Sequence, residues 1–233
     1  SSTNTALVQG IRVSIVSSKL SFLGYISARP FHMACGAQCQ VHLHIESVEC
    51  STQYMLNDYI FFKLIGGRGH NVTVRETSFM ATNDGNRSKE FAYGFQFIQS
   101  SNILARFQDV SFSSVGYQNP VKVSEVSNAQ VAMDNCSLVI TDCGTTAGAA
   151  PGLLVAETSF NHTMWTLRRI NLSATCPKDI GYLALARFTS TKPAENITID
   201  VDELHLDINR LLVLQPINIE IAELHAFRAT VSG

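Results

Sequence analysis

Charge is scarce in this chain. Only 15% of its 233 residues are Asp, Glu, Lys or Arg, against an apolar fraction of 45%. So low a charged fraction excludes a disordered chain and a coiled coil. The formal net charge of −2 leaves no basic excess, which argues against nucleic acid as a partner. No run of 18 apolar residues occurs, so no direct membrane span is expected. No signal peptide opens the sequence and no lipid-anchor tail closes it. Such segments would have been removed, or the chain is a section of a longer one. Hairpin signals are scarce too. The Asn-Gly and Asp-Gly pairs that mark two-residue turns reduce to Asp84-Gly85, inside a polar loop.

Two residue types are plentiful and bear on compartment. Six Asn-x-Ser/Thr sequons occur, at Asn71, Asn86, Asn135, Asn161, Asn171 and Asn196. Chance would supply about two to three in a chain with 14 Asn. A Ser/Thr/Asn-rich β protein can also make them by accident. The excess points to N-glycosylation at these six positions, and so to the secretory pathway and an extracellular or cell-surface location. Six cysteines agree: Cys35, Cys39, Cys50, Cys136, Cys143 and Cys176. Cys35 and Cys39, with His32, His42 and His44 nearby, permit a zinc reading, but a second CxxC-like pair is absent. Disulfides in an oxidising compartment fit better.

Strand-like alternation organises the rest. Windows with apolar residues at p, p+2, p+4, p+7 and p+9 start at Val13, Val41, His70, Ile103, Ala129, Thr163, Ile197 and Ile217. Across these eight windows 36 of 40 such positions are apolar, against five of the 40 at p+1, p+3, p+5, p+6 and p+8. Period 2 is the signature of a strand with one buried face. The two consecutive outward residues at p+5 and p+6 would flip that face on a straight strand, so a bend is expected there. Further apolar segments precede most windows, among them Tyr59-Ile60-Phe61-Phe62, Phe95-Gln96-Phe97, Val121-Lys122-Val123 and Leu211-Leu212-Val213. Each repeat therefore carries about three strands. The window starts are unevenly spaced, closest from Ile197 to Ile217 and widest from Ala129 to Thr163 and from Thr163 to Ile197. Uneven spacing with a constant internal pattern means loops of varying size on a constant coil. The expected fold is all-β: a right-handed parallel β-helix solenoid of about eight coils, 1–233 forming one domain. At about 4.8 Å per coil the rod would be about 38 Å long. A β-sandwich is the competitor, and the scarcity of hairpin turns speaks against it.

Over residues 11 to 230 this pattern resembles the pectin-lyase-like superfamily. Asn135-Cys136-Ser137-Leu138-Val139 and Ile170-Asn171-Leu172-Ser173-Ala174-Thr175-Cys176 resemble segments of the dispersed gene family surface glycoproteins of trypanosomes. The second resemblance implies a cell-surface, adhesin-like β-helix forming one section of a longer protein. The first raises a carbohydrate-active enzyme, a polysaccharide lyase or hydrolase, as the alternative. Pectin-active hydrolases of that superfamily carry clustered Asp residues, a Gly-His-Gly segment and an Arg-x-Lys. Gly67-Arg68-Gly69-His70-Asn71 only partly resembles this, no Asp-Asp pair exists, and no pair of carboxylates offers itself to flank a scissile bond around His70. His70, at an inward position, reads as a structural histidine. No catalytic residue, cofactor or resident metal is expected.

Other candidates have a plain reading beside the chemical one. Asp200, Asp202, Glu203, Glu220 and Glu223 would share an outer face of the last two coils, where carboxylates could hold Ca²⁺ or form a solvated ladder. The p+8 column of Ser21, Glu49, Ser78, Ser111, Ser137, Asn171, His205 and His225 reads as hydrogen-bonding along the stack. His42 and His44 point outward, as an ordinary exposed pair or a pH switch. Cys143 and Cys176 occupy nearly the same corner of adjacent coils, which predicts a disulfide adding about 3 kcal/mol. Cys136, at p+7, should be a buried thiol, and Cys50 should pair with Cys35 or Cys39. Neither end carries a polar cap, so the expected partners are neighbouring β-helix segments, a surface protein or a glycan. The expected role is that of a structural or adhesive module whose unequal loops form the recognition surface.

Overall fold

The computed structural model describes residues 10–24, 31–54, 59–83, 92–115, 118–141, 154–175, 183–190, 192–208, 214–221 and 223–232. Every regular element among them is a β-strand, and every strand pairing is parallel. The strands stack into three ladders. The first holds β1 (Gly10–Val16), β4 (Gln40–Glu46), β7 (Asn71–Arg75), β10 (Ser101–Gln108), the end of β12 (Gln118–Asp134), the starts of β15 (Thr163–Thr175) and β17 (Ala194–Ile208), and β19 (Leu224–Ser232). The second holds β2 (Lys19–Gly24), β5 (Glu49–Tyr54), β8 (Ser78–Asn83), β11 (Ser111–Val115), β13 (Ser137–Thr141) and the ends of β15 and β17. The third holds β3 (Phe31–Ala34), β6 (Tyr59–Ile65), β9 (Ala92–Ile98), the start of β12, then β14 (Leu154–Asn161), β16 (Leu183–Ser190) and β18 (Leu214–Ile221). The chain visits first, second and third ladder in turn and then repeats, which is a parallel β-solenoid.

Alternation explains the interior. In β4 the inward Val41, Leu43 and Ile45 are buried while the residues between them are not. Inward side chains of all three ladders meet in one continuous core. Phenylalanines fill its middle: Phe61 lies 4.7 Å from Phe79, Phe79 stacks on Phe112 at 5.3 Å, and Phe95 meets Phe107 edge-on at 4.9 Å. Each fully buried Phe is worth about 1.5–3 kcal/mol. Trp165, wholly buried, donates its indole N–H to Thr163 Oγ1 at 3.1 Å. Thr163 thereby satisfies the one polar group that such a side chain carries.

The expected bend is a single left-handed residue. Ser47, Glu76, Asp109, Asn135, Arg169 and Glu203 all stand at p+6, with φ between 46° and 54°. Left-handed backbone turns the strand without spending a third residue, so p+7 points inward again. The corner stays hydrogen-bonded. The amides of Ser47, Glu76, Asp109 and Asn135 donate to Arg75, Gln108, Asp134 and Arg168 of the next turn, at 3.0–3.1 Å. A second corner leads from the third ladder to the first, with left-handed Gly69, Asn102, Asn128, His162, Asn196 and Ala226 at or just before the strand.

Two windows are corrected. Ile11 pairs with Val41 and Leu20 with Cys50, so the first window begins at Ile11, not Val13. A slip of two preserves alternation; only the corner residue, Ser17 with φ 46°, fixes the register. The window at Ile217 is not a coil start. Ile217 and Ile219 pair with Ala186 and Phe188 in the third ladder, and the first-ladder partner of Ile197 is Phe227. Both corners skip two residues between inward positions, so the apolar spacing alone cannot tell one from the other. Among the described residues the ladders hold eight, seven and seven strands, so the complete turns number fewer than the eight expected.

Candidate functional site

The corners set the sequons. Asn135 is the left-handed corner residue itself, exposed, and its Nδ2 donates to Asp109 Oδ1 at 2.5 Å. Asn196, left-handed at the other corner, is exposed and shares a 2.9 Å hydrogen bond with His162 Nδ1. Asn161 is half-buried and its Oδ1 accepts from the Glu195 amide at 3.2 Å. Asn171 is exposed on β15, at the rim of an open depression of about 370 Å³ lined by Arg169, Ile170, Asn171, Glu203, Leu204 and His205. Asn71 points outward from β7 but is half-buried, and its Oδ1 lacks a hydrogen-bond partner. Asn86 lies outside the described residues, as do Cys143 and Cys176 with their expected disulfide.

The N-terminal cysteines differ from the expected pairing. Cys35 bonds to Cys39, with Cα atoms 5.3 Å apart, and Cys50 is a buried thiol. The reason is place in the coil: Cys35 and Cys39 flank the turn between β3 and β4, whereas Cys50 at p+9 lies on β5 in the second ladder. Cys136 is the buried free thiol expected at p+7, and burial pushes its pKa up to about 11. His70 is buried and bonded through both ring nitrogens, to the Val41 amide at 3.1 Å and the Gly66 carbonyl at 3.0 Å.

The expected acidic face does not assemble. Asp200 and Asp202 lie on the first ladder, but Glu220 lies on the third, opposite Thr189, and Glu223 pairs instead with His225 at 2.8 Å. Among the described residues no group of three or more His, Cys, Asp or Glu is placed to hold a metal ion. The p+8 column also changes at its ends. Lys19 replaces Ser21 and pairs with Glu49 at 3.1 Å, Ser21 bonds Ser51 two residues on, and His225 leaves the column. His44 pairs with Glu46 of its own strand at 3.2 Å.

Charge instead gathers along the first corner and on the third ladder. At p+5, Glu46, Arg75, Gln108, Asp134, Arg168 and Asp202 stack turn upon turn. Arg169 forks onto Asp134 at 2.9 and 2.6 Å. On the third ladder, Glu157 lies between two cations, 2.8 Å from Lys122 Nζ and 3.0 Å from Arg187 Nη2. These side chains are only 15%, 29% and 23% exposed for Lys122, Glu157 and Arg187. Burial pushes the Glu157 carboxyl up, but Lys122 and Arg187 outweigh it and hold the pKa below its ordinary value. In the sequence this group is hidden, since Val121-Lys122-Val123 has the look of an apolar segment. The signal was there: a lone cation between inward residues at Lys63, Lys122 and Arg187.

One edge of the solenoid varies more in length than the other two; between the third and first ladders the connection runs from none within β12 to 35–39. The connection from second to third ladder takes only positions 116–117 in one turn and the whole of 142–153 in the next, while the first corner keeps one length in every turn. Compared with family models, curated proteins and solved structures, the chain matches none.

Proposed function

We propose that the chain is a structural or adhesive extracellular glycoprotein module, a rigid β-helix presenting loops for recognition. The observation that carries this reading is the edge just described: connections of unequal length, one per turn, on ladders whose own register hardly changes. Variation concentrated at one edge of a stiff scaffold is how binding surfaces diversify without loss of fold. The coil is read as right-handed, the usual hand of crossovers between parallel strands, and as pectin-lyase-like in kind. The likeness to trypanosome surface glycoproteins supports the same role. Outward sequons on β7, β14, β15 and β17 and at the corner after β12, with the Cys35–Cys39 disulfide, fit the secretory pathway. Partners would be a surface protein, a glycan, or a neighbouring β-helix segment seated on a terminal strand.

Peptide mass spectrometry after enzymatic deglycosylation tests it on protein secreted by a eukaryotic cell. Conversion of Asn to Asp at Asn135, Asn171 and Asn196 is the expected result. All six sequons unmodified would remove the main reason for an extracellular assignment. Depolymerisation of an acidic polysaccharide at enzyme-like rates would replace the adhesive reading with the enzymatic one.

A further inference from the structure

One buried titratable group has both its nitrogens committed to backbone. His70 heads the third turn of the first ladder, between Val41 and Ile103. The Val41 amide can only donate, so its 3.1 Å bond fixes Nδ1 as an unprotonated acceptor. Nε2 then carries the proton and donates to the Gly66 carbonyl at 3.0 Å. That carbonyl also accepts from Ser100 Oγ at 2.9 Å.

The ring closes a corner that other bonds share. Gly66 and Gly67 are left-handed, with φ of 78° and 79°. A Cβ on Gly67 would come within 2.7 Å of the His70 ring and 2.5 Å of the Cys39 carbonyl. The same carbonyl accepts from the Arg68 amide at 3.0 Å, and the Cys35 amide donates to Ile65 O at 2.7 Å. His70 therefore joins the disulfide turn of Cys35–Cys39 to the glycine segment one turn on.

We propose that His70 is an acid-operated latch: a proton at Nδ1 expels the Val41 amide and loosens the Cys35–Cys39 corner while the remaining ladders stay paired. The charge would arise in a buried place. His42 on β4 opposes it, Arg68 in the glycine segment is turned to Gln38 Oε1 at 2.6 Å, and the disulfide sulfurs do not titrate. Among the described residues no carboxylate acts on the ring, and burial above all lowers its pKa from the ordinary 6.5. A base whose folded pKa is lowered stabilises the fold fully above 6.5. That contribution drains away as pH falls from there to the folded value.

The test is the rate at which a water-soluble phosphine reduces the Cys35–Cys39 bond in the full chain, followed by peptide mapping and divided by its rate on oxidised glutathione. Between pH 7.5 and pH 5 this ratio is expected to rise about tenfold. In His70→Asn, whose amide oxygen can still accept from Val41 but takes no proton, the ratio should stay flat. A flat ratio in the unmodified chain, or an equal rise in His70→Asn, overturns the latch. A second readout needs no variant: a proton NMR titration in which His70 titrates at or above 6.5, or leaves the Val41 amide unmoved, also overturns it.

Discussion

The first corner and the second-to-third connection do the same topological work in opposite ways. At the corner one left-handed residue turns the chain, its amide joins the next turn, and its neighbours at p+4 and p+7 re-enter the core. The connection ranges from the short 116–117 to the far longer 142–153. A solenoid needs its strands in register, and one corner of fixed geometry per turn supplies that. Once register is held there, a second edge is free to vary. The third ladder, entered from connections of unequal length, has its own means of alignment, the Lys122–Glu157–Arg187 group.

Adding one residue breaks the contrast most directly. A serine inserted between Asp134 and Asn135 turns Cys136, Leu138 and Ile140 outward, and these are now at most 1% exposed. The loss, about 5–9 kcal/mol, is comparable to the whole stability of a domain, about 5–15 kcal/mol, and Tm should fall by more than about 10 °C. The same serine inserted after Gly148, within 142–153, should shift Tm by no more than about 2 °C. If both insertions were equally tolerated, the corner would not be setting the register.

Glu157→Gln probes the alignment of the third ladder. It leaves Lys122 and Arg187 facing an uncharged amide, at a cost of about 2 kcal/mol near pH 7. Because the Glu157 pKa is lowered, its contribution is present above the ordinary carboxylate range and drains away as pH falls through the folded value. Urea unfolding of both proteins at pH 7 and pH 3 should show the gap closing. A gap unchanged at pH 3 would assign the effect to shape rather than charge.

The smallest effect concerns the corner residue itself. Ser47 has φ 53°, a conformation that glycine adopts freely and β-branched residues resist. Ser47→Val should lose about 1–2 kcal/mol, while Ser47→Gly should change stability by less than about 1 kcal/mol. Thermal melts of the two variants side by side decide it, and equal melts would mean that the corner is not held left-handed.

The ladders were legible because their cause is local. Alternation such as Val41, Leu43, Ile45 records which side of the strand is wet, and the paired outward residues at p+5 and p+6 record the bend. Which bend they record is not local. Ile217-x-Ile219-x-Ile221 followed by Leu224 obeys the same spacing but runs through the other corner, and only its pairing partners reveal this. Glu220 shares the spacing of Asp200 for that reason alone, on a different ladder. Cys136 and His70 were placed by parity on an inward face. The Cys35–Cys39 bond was not, because a turn between strands carries no parity. Glu157 depends on side chains one turn away on either side, Lys122 and Arg187, and its sequence neighbours do not announce them.

The charges stacked at p+5 give the rod an arithmetic of its own. Glu46 lies beside Arg75, Asp134 beside Arg168, and Arg168 beside Asp202. Excising the turn that carries Arg168 would bring Asp134 against Asp202, like upon like at one strand spacing, which is unfavourable. Excising that turn together with the one carrying Asp134 would set Gln108 against Asp202 and offend nothing. Which turns such a rod can lose is therefore set by the charges left facing each other: loss of the Arg168 turn alone is disfavoured, whereas loss of the Asp134 turn alone, which sets Gln108 against Arg168, is not.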